Sequence, residues 1–349
     1  MSEPAKKTVL SGLRPTGRVH LGNYWGAVKN WVDLQDRYEC RYFVADLHAL
    51  TTDYADTSAI RESTLEAVTD WLSVGLDPEK AVVFVQSQVP QTAELALVFG
   101  MFTPLGWLER VPTYKEQLQE LREKDLGTYG FLGYPVLMTA DIALYRGHYV
   151  PVGKDQESHL EICREIVRRF NGLYGDVFPE PQALFTETPK VPGLDGRKMS
   201  KSYENTIALS DSADDVAKKV MSMVTDPRRA RRSDPGNPDE CNLFPFHRLY
   251  SSKEECAEID RGCRTATLGC VDCKKWLIRN MNAALEPVRA KRAEITAKPG
   301  YVREVLEEGG VKARALAREG KEPGEMARTL VEKGRRSIVA AGELMETEK

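Results

Sequence analysis

Two lysines and two serines lie within five consecutive positions of this chain. The residues are, in order, Lys198, Met199, Ser200, Lys201 and Ser202. Gly196 and Asn205 flank this pentad, which we call the lysine loop. Two ammonium groups and two hydroxyls on one short loop suit the neutralisation of a polyphosphate whose charge shifts during a reaction. A solvated surface loop is the alternative, but the complete pentad is much rarer than a pair of exposed lysines.

A second candidate nucleotide site lies near the N-terminus. Residues 8–26 begin with a short apolar run, pass through a loop punctuated by Gly and Pro, and end in an amphipathic stretch. This order predicts a strand, a loop and a helix, which together begin a parallel α/β unit. Gly17 and Gly22 allow the backbone to approach a nucleotide closely, and the N-terminus of a helix favours anions.

The two regions together resemble the paired signatures of class I aminoacyl-tRNA synthetases. Residues 20–23, called here the histidine turn, read His-Leu-Gly-Asn. The family form is His-Ile-Gly-His, and its tryptophan and tyrosine branch carries Asn in the last position. The lysine loop matches the second signature, and the two lie about 180 residues apart in the family's order. The resemblance implies a Rossmann-type catalytic domain that binds ATP with Mg²⁺.

The first half of the chain alternates between predicted strands and helices. Residues 41–45 and 81–86 are continuous apolar, β-branched runs, typical of strands buried on both faces. Ile60, Leu65 and Val68 recur between them at helical spacing. This alternation predicts a doubly wound parallel sheet, which binds ligands at the carboxyl ends of its strands.

The second half of the chain is predicted to be helical. Strand signals end at about residue 207, and helical patterns cover residues 213–224, 274–293, 301–318 and 324–344. We therefore place an α/β catalytic domain at residues 1–207 and a smaller all-α domain at residues 208–349.

The composition fits a cytoplasmic enzyme. The chain has 349 residues, 42% of them hydrophobic, and a formal net charge of −3, so it can bury a large core. We expect neither a secretory signal nor a membrane span, because residues 1–7 have no apolar segment and no run of 18 apolar residues occurs. Four arginines predict either solvated surface or a phosphate-contacting patch: Arg228, Arg229, Arg231 and Arg232.

Residues 131–160 indicate which amino acid would be activated. Tyr134, Met138 and Asp141 lie three or four positions apart, on one face of a predicted helix. An acidic residue among apolar neighbours is costly without a partner, and a helix-surface aspartate is the alternative. The stretch resembles the amino-acid pocket of bacterial tryptophanyl-tRNA synthetases. This resemblance implies that Asp141 accepts the indole N–H and that Met138 packs on the indole ring.

The same resemblance implies the other site residues. The catalytic residues would be Thr16, His20, Lys198 and Lys201. ATP would contact Arg14, Pro15, Thr16, Gly22, Asn23, Gly153, Lys154, Asp155, Val191 and the lysine loop, Lys198, Met199, Ser200, Lys201 and Ser202. Tryptophan would contact Tyr134, Met138, Asp141, Val150, Val152 and Gln156. Lys154 departs from the family, which usually has Glu at that position.

The resemblance also implies partners. They are L-tryptophan and tRNA(Trp), with the anticodon bound by the helical domain. The family is a homodimer in which one tRNA bridges both subunits, and residues 95–125 are our candidate interface.

Five of the seven cysteines fall within 33 residues. Three of them, Cys263, Cys270 and Cys273, have the spacing of metal ligands, and four thiolates would suit zinc or an iron–sulfur cluster. A disulfide framework is not expected without a secretory signal. The other two cysteines, Cys40 and Cys163, lie in predicted apolar elements and are expected to be core thiols.

The cysteine set resembles the [4Fe–4S] motif of a subset of tryptophanyl enzymes. The first gap is one residue shorter than in that motif, which leaves Cys241 and Cys256 as candidates for the fourth ligand. We favour Cys241, because the Arg-Arg-Ser-Asp-Pro-Gly-Asn-Pro stretch precedes it as in the family. Zinc remains the alternative to the cluster.

Two other functions remain open from the sequence. One is a small-molecule nucleotidyltransferase of the same superfold, although such enzymes lack a helical domain of this size. The other is a non-catalytic nucleic-acid-binding or redox-sensing paralogue, against which the intact lysines of the lysine loop argue.

Overall fold

A parallel β-sheet forms the centre of the computed structural model, which describes residues 6–112, 114–115, 126–153, 157–185, 191–229 and 231–319. The sheet has five strands in the order β3-β2-β1-β4-β5, and every neighbouring pair is parallel. The strands are β1 (Thr8–Leu13), β2 (Glu39–Val44), β3 (Ala81–Val85), β4 (Tyr149–Val152) and β5 (Gln182–Phe185). The predicted doubly wound α/β fold, with helices in the C-terminal region, is confirmed.

The order of the strands fixes where a ligand can bind. From β1 the chain adds β2 and β3 on one side, and β4 and β5 on the other. The crevice at the carboxyl ends of β1 and β4 is therefore the topological switch point, where open parallel sheets bind ligands. β1 ends at Leu13, directly before Arg14, and β4 ends at Val152, directly before Gly153. The two predicted ATP-contacting loops thus leave the sheet at the same edge.

Apolar side chains cover both faces of the sheet, because consecutive strand residues point to opposite sides. Tyr42 and Val44 belong to one buried cluster, whereas Phe43 belongs to the other. The first cluster also contains Leu277 and Met281, so part of the C-terminal helical region packs on the same core as the sheet. The division of the chain at residue 207 stays a prediction.

The helices of the first half pack around the sheet. Their bounds are Leu21–Asn23, a π-helix at Tyr24–Val28, Lys29–Leu34, Asp46–Asp53, Ile60–Ser73, Gln91–Gly100, Leu105–Leu108, Tyr129–Leu132, Tyr134–Leu144 and Glu157–Tyr174. The spacing that predicted a helix after residue 60 is confirmed. Residues 95–125, the candidate interface, also have a helical sequence pattern, but the described helix ends at Gly100 and the next begins at Leu105. Pro104 separates them, because proline lacks an N–H and disfavours helical backbone in the residue before it.

The helices of the C-terminal region are Ala213–Ser222, Phe244–Tyr250, Lys253–Arg264, Cys270–Thr296 and Tyr301–Glu319. We call Cys270–Thr296 the long helix. The helix Lys253–Arg264 was not predicted, although Ser252 and Glu255 form a capping box that is visible as a Ser-x-x-Glu pattern. Phe244–Tyr250 was not predicted either, and the predicted helix at 324–344 lies outside the described residues. Among the helices that the structure describes, none is long and apolar enough to cross a membrane.

Candidate active site

A cavity of about 410 Å³ lies at the carboxyl ends of β1 and β4. This volume is in the range of small-molecule sites. Its lining includes residues predicted to contact ATP, namely Arg14, Thr16, Asn23 and Gly153. It also includes residues predicted to contact tryptophan, namely Tyr134, Met138, Asp141, Val150 and Val152. The fold therefore brings the two predicted sets together in one cavity.

Some predicted residues lie elsewhere. Pro15 and Val191 are buried and do not line this cavity, and neither does Gly22. Lys154, Asp155 and Gln156 lie outside the described residues, as does part of the candidate interface, residues 113 and 116–125.

Asp141 is a buried carboxylate whose two oxygens are both held by side chains. Gln86 Nε2 donates to Oδ1 at 2.9 Å and to Oδ2 at 2.8 Å, and His48 Nε2 lies 3.0 Å from Oδ2. Burial raises the pKa of Asp141, while the hydrogen bonds from His48 and Gln86 oppose that rise. The alternative interpretation of Asp141 as a surface residue is therefore wrong.

His48 and Gln86 are site residues that sequence reasoning missed. Gln86 directly follows β3, and His48 lies in the helix that follows β2. Polar residues just beyond the carboxyl ends of parallel strands are a signal that could have identified both. The Gln86 amide is oriented by the backbone, because its Oε1 accepts the N–H of Leu47 at 3.1 Å.

His48 leaves one ring nitrogen for a ligand. Its ring lines the cavity and lies 4.4 Å from the Tyr134 ring, measured between centroids. When Nε2–H donates to Asp141, Nδ1 is an acceptor. That Nδ1 is buried and has no hydrogen-bond partner among the residues that the structure describes, so a donor on a bound molecule could reach it.

His20 begins the helix Leu21–Asn23 and caps it. Its Nδ1 accepts the backbone N–H of Asn23 at 3.2 Å. Burial, with a smaller contribution from Lys201, lowers the pKa of His20 to about 4. The imidazole is therefore neutral near pH 7 and, since Nδ1 accepts, carries its proton on Nε2. His20 can thus donate a hydrogen bond to a ligand without carrying a charge.

The lysine loop lies against the histidine turn. Met199 is buried, and the backbone N–H of Gly22 lies 3.3 Å from its Sδ. Lys201 Nζ donates to the carbonyl oxygen of Thr16. Gly17 has a φ of +83°, and a Cβ there would lie 3.2 Å from Lys201 Nζ, so only glycine suits this position.

The other members of the lysine loop are less engaged. Lys198 is exposed and does not line the cavity at β1 and β4. Ser200 is held through its backbone N–H by Asn205, and the side chain of Ser202 lies outside the described residues.

A second cavity of about 380 Å³ contains both His20 and Lys201. Arg18 and Lys219 also line it, with the acidic residues Glu204 and Asp211. Burial lowers the pKa of Lys201 to about 8, although the nearby carboxylates of Asp70 and Glu66 act in the opposite direction. A mostly protonated lysine and a neutral histidine donor beside one cavity suit a phosphate chain.

Cys273 lies close enough to three other clustered cysteines for their charge to affect its thiol. Burial raises the pKa of Cys273 to about 12, and Cys241, Cys263 and Cys270 add to that rise. Cys256 is not part of this group, since its Sγ donates to the carbonyl oxygen of His247 at 3.3 Å. The choice of Cys241 as the fourth ligand stays a prediction.

The thiols are gathered but are not in ligating geometry. Within the described residues, no group of three or more His, Cys, Asp or Glu side chains is arranged to hold a metal ion. Cys40 and Cys163, predicted to be core thiols, are indeed buried.

The arginine patch is partly engaged by its own chain. Arg228 lies 2.7 Å from Glu240 and Arg232 lies 3.4 Å from Asp272, measured between nitrogen and oxygen. Arg229 Nη1 is 3.8 Å from Cys263 Sγ. The phosphate-contacting role of this patch stays a prediction.

Comparison with known proteins identifies the family of the chain. Residues 3–286 match the family of class I tRNA synthetases for W and Y. The chain is 53% identical to the tryptophan–tRNA ligase of Thermotoga maritima over 311 residues, which is 88% of this chain and 95% of that protein. The corresponding ligase of Aquifex aeolicus is 43% identical over 379 residues, covering 88% and 96%.

A solved structure is similar over nearly the whole chain. It is the tryptophanyl-tRNA synthetase of Campylobacter jejuni in complex with ADP and tryptophan, with a TM-score of 0.81 and 36% identity over 94% of this chain and 99% of that one. The chain therefore belongs to the class I aminoacyl-tRNA synthetases of the tryptophan and tyrosine group. Within that group, its relatives place it among the bacterial tryptophan–tRNA ligases.

Proposed function

We propose that this chain activates L-tryptophan with ATP and transfers the tryptophanyl group to tRNA(Trp). The observation that carries the proposal is the shared cavity, whose lining joins Arg14 and Thr16 to Asp141 and Met138. The nucleotide-binding loop suits ATP. The apolar pocket with one buried carboxylate suits an amino acid whose aromatic ring carries an N–H group.

In the first step, the tryptophan carboxylate attacks the α-phosphorus of ATP, which enters as its Mg²⁺ complex. A bond forms between a carboxylate oxygen and phosphorus, and the bond to the β-phosphate oxygen breaks, releasing pyrophosphate. The carboxylate is already ionised at neutral pH, so the chain needs no general base. Catalysis rests on positioning and on stabilisation of the developing charge.

We assign that stabilisation to two groups beside the second cavity. His20 donates from Nε2 to a phosphate oxygen. Lys201 leaves the Thr16 carbonyl oxygen and pairs with the negative charge that develops on the pyrophosphate. Although the pKa of Lys201 is lowered to about 8, this side chain is still charged in most molecules at pH 7. Lys198, which is exposed, would reach the phosphates when the loop closes over ATP.

Specificity in this proposal comes from Asp141. Its carboxylate accepts the indole N–H while Gln86 and His48 keep it oriented. A side chain without that donor would leave a buried acceptor unpaired, which costs much more than a lost methylene contact. Met138 and Val150 pack on the ring.

In the second step, the 3′-terminal ribose hydroxyl of tRNA(Trp) attacks the adenylate carbonyl, and AMP leaves. We propose a homodimer that binds the tRNA across both subunits, in the cytoplasm, where tRNA is charged. Support comes from large exposed apolar side chains in or near the candidate interface: Leu97, Met101, Leu105 and Tyr129, which are 59%, 74%, 60% and 71% exposed.

We also propose that Cys241, Cys263, Cys270 and Cys273 hold a [4Fe–4S] cluster, with zinc as the alternative. Support comes from the chemistry of the donor set, since Cys273 lies close to three other thiols. Glycine at position 236 also lets Cys263 Sγ approach the backbone, because a Cβ there would lie 2.6 Å from that sulfur. When bound, the cluster would cross-link the region that we assign to tRNA binding.

Tryptophan-dependent exchange of pyrophosphate into ATP tests the proposed function. The purified chain is expected to catalyse exchange with tryptophan, and far more weakly with tyrosine or phenylalanine. Adenylation of a pantetheine or nicotinamide substrate instead would favour a nucleotidyltransferase. No exchange with any amino acid would favour a non-catalytic paralogue.

A further inference from the structure

A buried carboxylate holds the backbone directly before His20. Asp70 lies on the helix Ile60–Ser73, and none of its surface is exposed (0%). Its Oδ2 accepts the backbone N–H of Val19 at 2.7 Å. On its other side, the carbonyl oxygen of Val19 accepts the N–H of Leu209 at 2.9 Å. The approach of the His20 ring to its cavity is therefore set partly by Asp70.

Arg292, on the long helix, pairs with that carboxylate from the C-terminal region. Its Nη1 donates to Asp70 Oδ1, and its Nη2 donates to Glu66 Oε2 at 2.7 Å. The Arg292 side chain is 14% exposed and lies 222 positions from Asp70 in the sequence. Burial raises the pKa of Asp70 to about 6, and Arg292 is the largest opposing influence. Removing one partner of a buried ion pair leaves an uncompensated charge.

The same carboxylates also act on the lysine loop. Asp70 and Glu66 both favour the charged form of Lys201. Glu66 further pairs with Arg18, with 3.4 Å between Oε2 and Nε, and Arg18 lines the cavity beside His20 and Lys201. Arg292 is thus linked through these carboxylates to His20 and Lys201, the two groups that we assign to phosphate binding, although it does not itself line their cavity.

We propose that Arg292 is a positioning residue for adenylate formation, which acts by holding Asp70 on the Val19 N–H and thereby fixing the backbone that presents His20. This inference rests on the proposed function. It also gives the C-terminal helical region a part in the first chemical step, because Arg292 belongs to the long helix.

The test compares Arg292→Gln and Arg292→Lys with Arg279→Gln in tryptophan-dependent pyrophosphate exchange. Arg279 is the matched control: it lies on the same helix and also forms an ion pair, with 2.8 Å between its Nη2 and Glu255 Oε1, but neither partner lines the cavity beside His20 and Lys201. We expect Arg292→Gln to lower kcat about tenfold or more, which is about 1.4 kcal/mol of transition-state stabilisation. The KM for ATP should change much less, since ground-state contacts remain.

The conservative variant Arg292→Lys should reduce kcat less than Arg292→Gln does. The ammonium of Arg292→Lys can pair with Asp70 but cannot bridge it to Glu66 in two directions, so we expect kcat to fall about threefold. Thermal unfolding of each variant identifies the temperature range in which all are folded. If Arg292→Gln does not fold, Arg292→Lys alone decides the matter.

Three outcomes separate the possibilities. A wild-type kcat in folded Arg292→Gln or Arg292→Lys would overturn the positioning role. A loss in Arg279→Gln as large as in Arg292→Gln would also overturn it, by pointing to general weakening of the long helix. Absence of exchange in the unmodified chain would instead refute the proposed function.

Discussion

Asn205 and Ser200 are joined by a hydrogen bond that closes the lysine loop, with Asn205 Oδ1 accepting the Ser200 N–H at 2.9 Å. The amide Nδ2 of Asn205 donates to the Lys198 carbonyl oxygen at 3.1 Å and to Asp195 Oδ1 at 2.8 Å. Asn205 is only 3% exposed. One buried amide therefore sets the shape of the loop that carries both lysines.

The first prediction concerns the space that Asn205 occupies. A Cβ at Gly193 would lie 2.1 Å from Asn205 Nδ2, so Gly193→Ala must displace that side chain. Overpacking of this kind costs about 1–3 kcal/mol of folding stability, and we expect adenylate formation to slow as the lysine loop loses its closure. Denaturant unfolding and pyrophosphate exchange measure the two effects.

Gly172→Ala is the control for this variant. Gly172 lies in the helix Glu157–Tyr174, and a Cβ there would meet no atom of the described part of the chain within 4 Å. Alanine in a helix is favoured over glycine by about 0.5–1 kcal/mol, so this variant should be at least as stable as the parent. Wild-type stability and kcat in Gly193→Ala would show that the loop does not depend on Asn205.

The second prediction concerns selectivity at Asp141. We expect Asp141→Ala to raise the KM for tryptophan sharply and to narrow discrimination against phenylalanine, because the acceptor for the indole N–H is gone. His48→Ala should shift selectivity in the same direction but less, since Gln86 still holds the carboxylate. Exchange kinetics with both amino acids provide the measurement.

An exposed aspartate provides the matched control. Asp56→Ala removes a carboxylate outside the cavity lining and should leave both KM values unchanged. Unaltered selectivity in folded Asp141→Ala would exclude Asp141 from tryptophan recognition.

Local patterns predicted the sheet but not the contacts made across it. β2 and β3 were visible as apolar β-branched runs, because a strand buried on both faces needs apolar residues throughout. The pairing of Asp70 with Arg292 could not be predicted, since a single aspartate and a single arginine 222 positions apart carry no local signal. The π-helix Tyr24–Val28 was also invisible, because its sequence fits an ordinary α-helix.

Site residues could be predicted from the sequence where they belong to a family motif. The resemblance supplied Thr16, Met138 and Asp141, which the fold brings into one cavity. It did not supply Gln86, whose role depends on the position of β3 beside β2 in the sheet. Such partners become identifiable only when the strand order is known.

The third prediction concerns pH. Burial lowers the pKa of Lys201 from its usual 10.5 to about 8. The lysine is cationic below that value and loses its charge as pH rises through it, so kcat/KM for ATP should fall above about pH 8. His20, with a pKa of about 4, stays neutral from pH 5 upward and should add no step near pH 6.5. Exchange assays from pH 5 to pH 9.5 give the profile.

Substitution identifies the titrating group. Lys201→Arg keeps a charge at all these pH values and should move the alkaline decline to higher pH, whatever its maximal rate. Lys201→Ala should lower kcat far more than it raises the KM for ATP, with a loss of about 2.7–4 kcal/mol. Lys218→Arg, at a side chain that is 79% exposed, should leave the profile unchanged. An unshifted decline in Lys201→Arg would assign it to another group.

The fourth prediction concerns assembly. Leu97 and Met101 lie four positions apart on one face of a helical turn and are 59% and 74% exposed. A double change of both residues to Glu should produce a monomer in sedimentation or light-scattering measurements, because charge is not tolerated in an apolar interface core. Leu173→Glu, at another exposed leucine (51%), should stay dimeric. A dimeric double variant would place the interface elsewhere.

The fifth prediction concerns the clustered cysteines. An iron–sulfur protein is brown and absorbs broadly in the visible range, whereas a Cys₄ zinc site is colourless. We expect anaerobically purified protein to contain iron and sulfide, and Cys270→Ser to lose them. Cys256→Ser, which changes a thiol outside the group, should retain them.

The effect on activity should be confined to the tRNA step. Cys270 begins the long helix and Arg292 lies near its other end, about 33 Å away at 1.5 Å per residue. Loss of the metal should therefore weaken aminoacylation of tRNA(Trp) while leaving pyrophosphate exchange largely intact. Equal losses in both assays would mean that the cysteine site also supports the adenylation site. A colourless, metal-free and fully active protein would refute the cluster and leave the proposed synthetase activity standing.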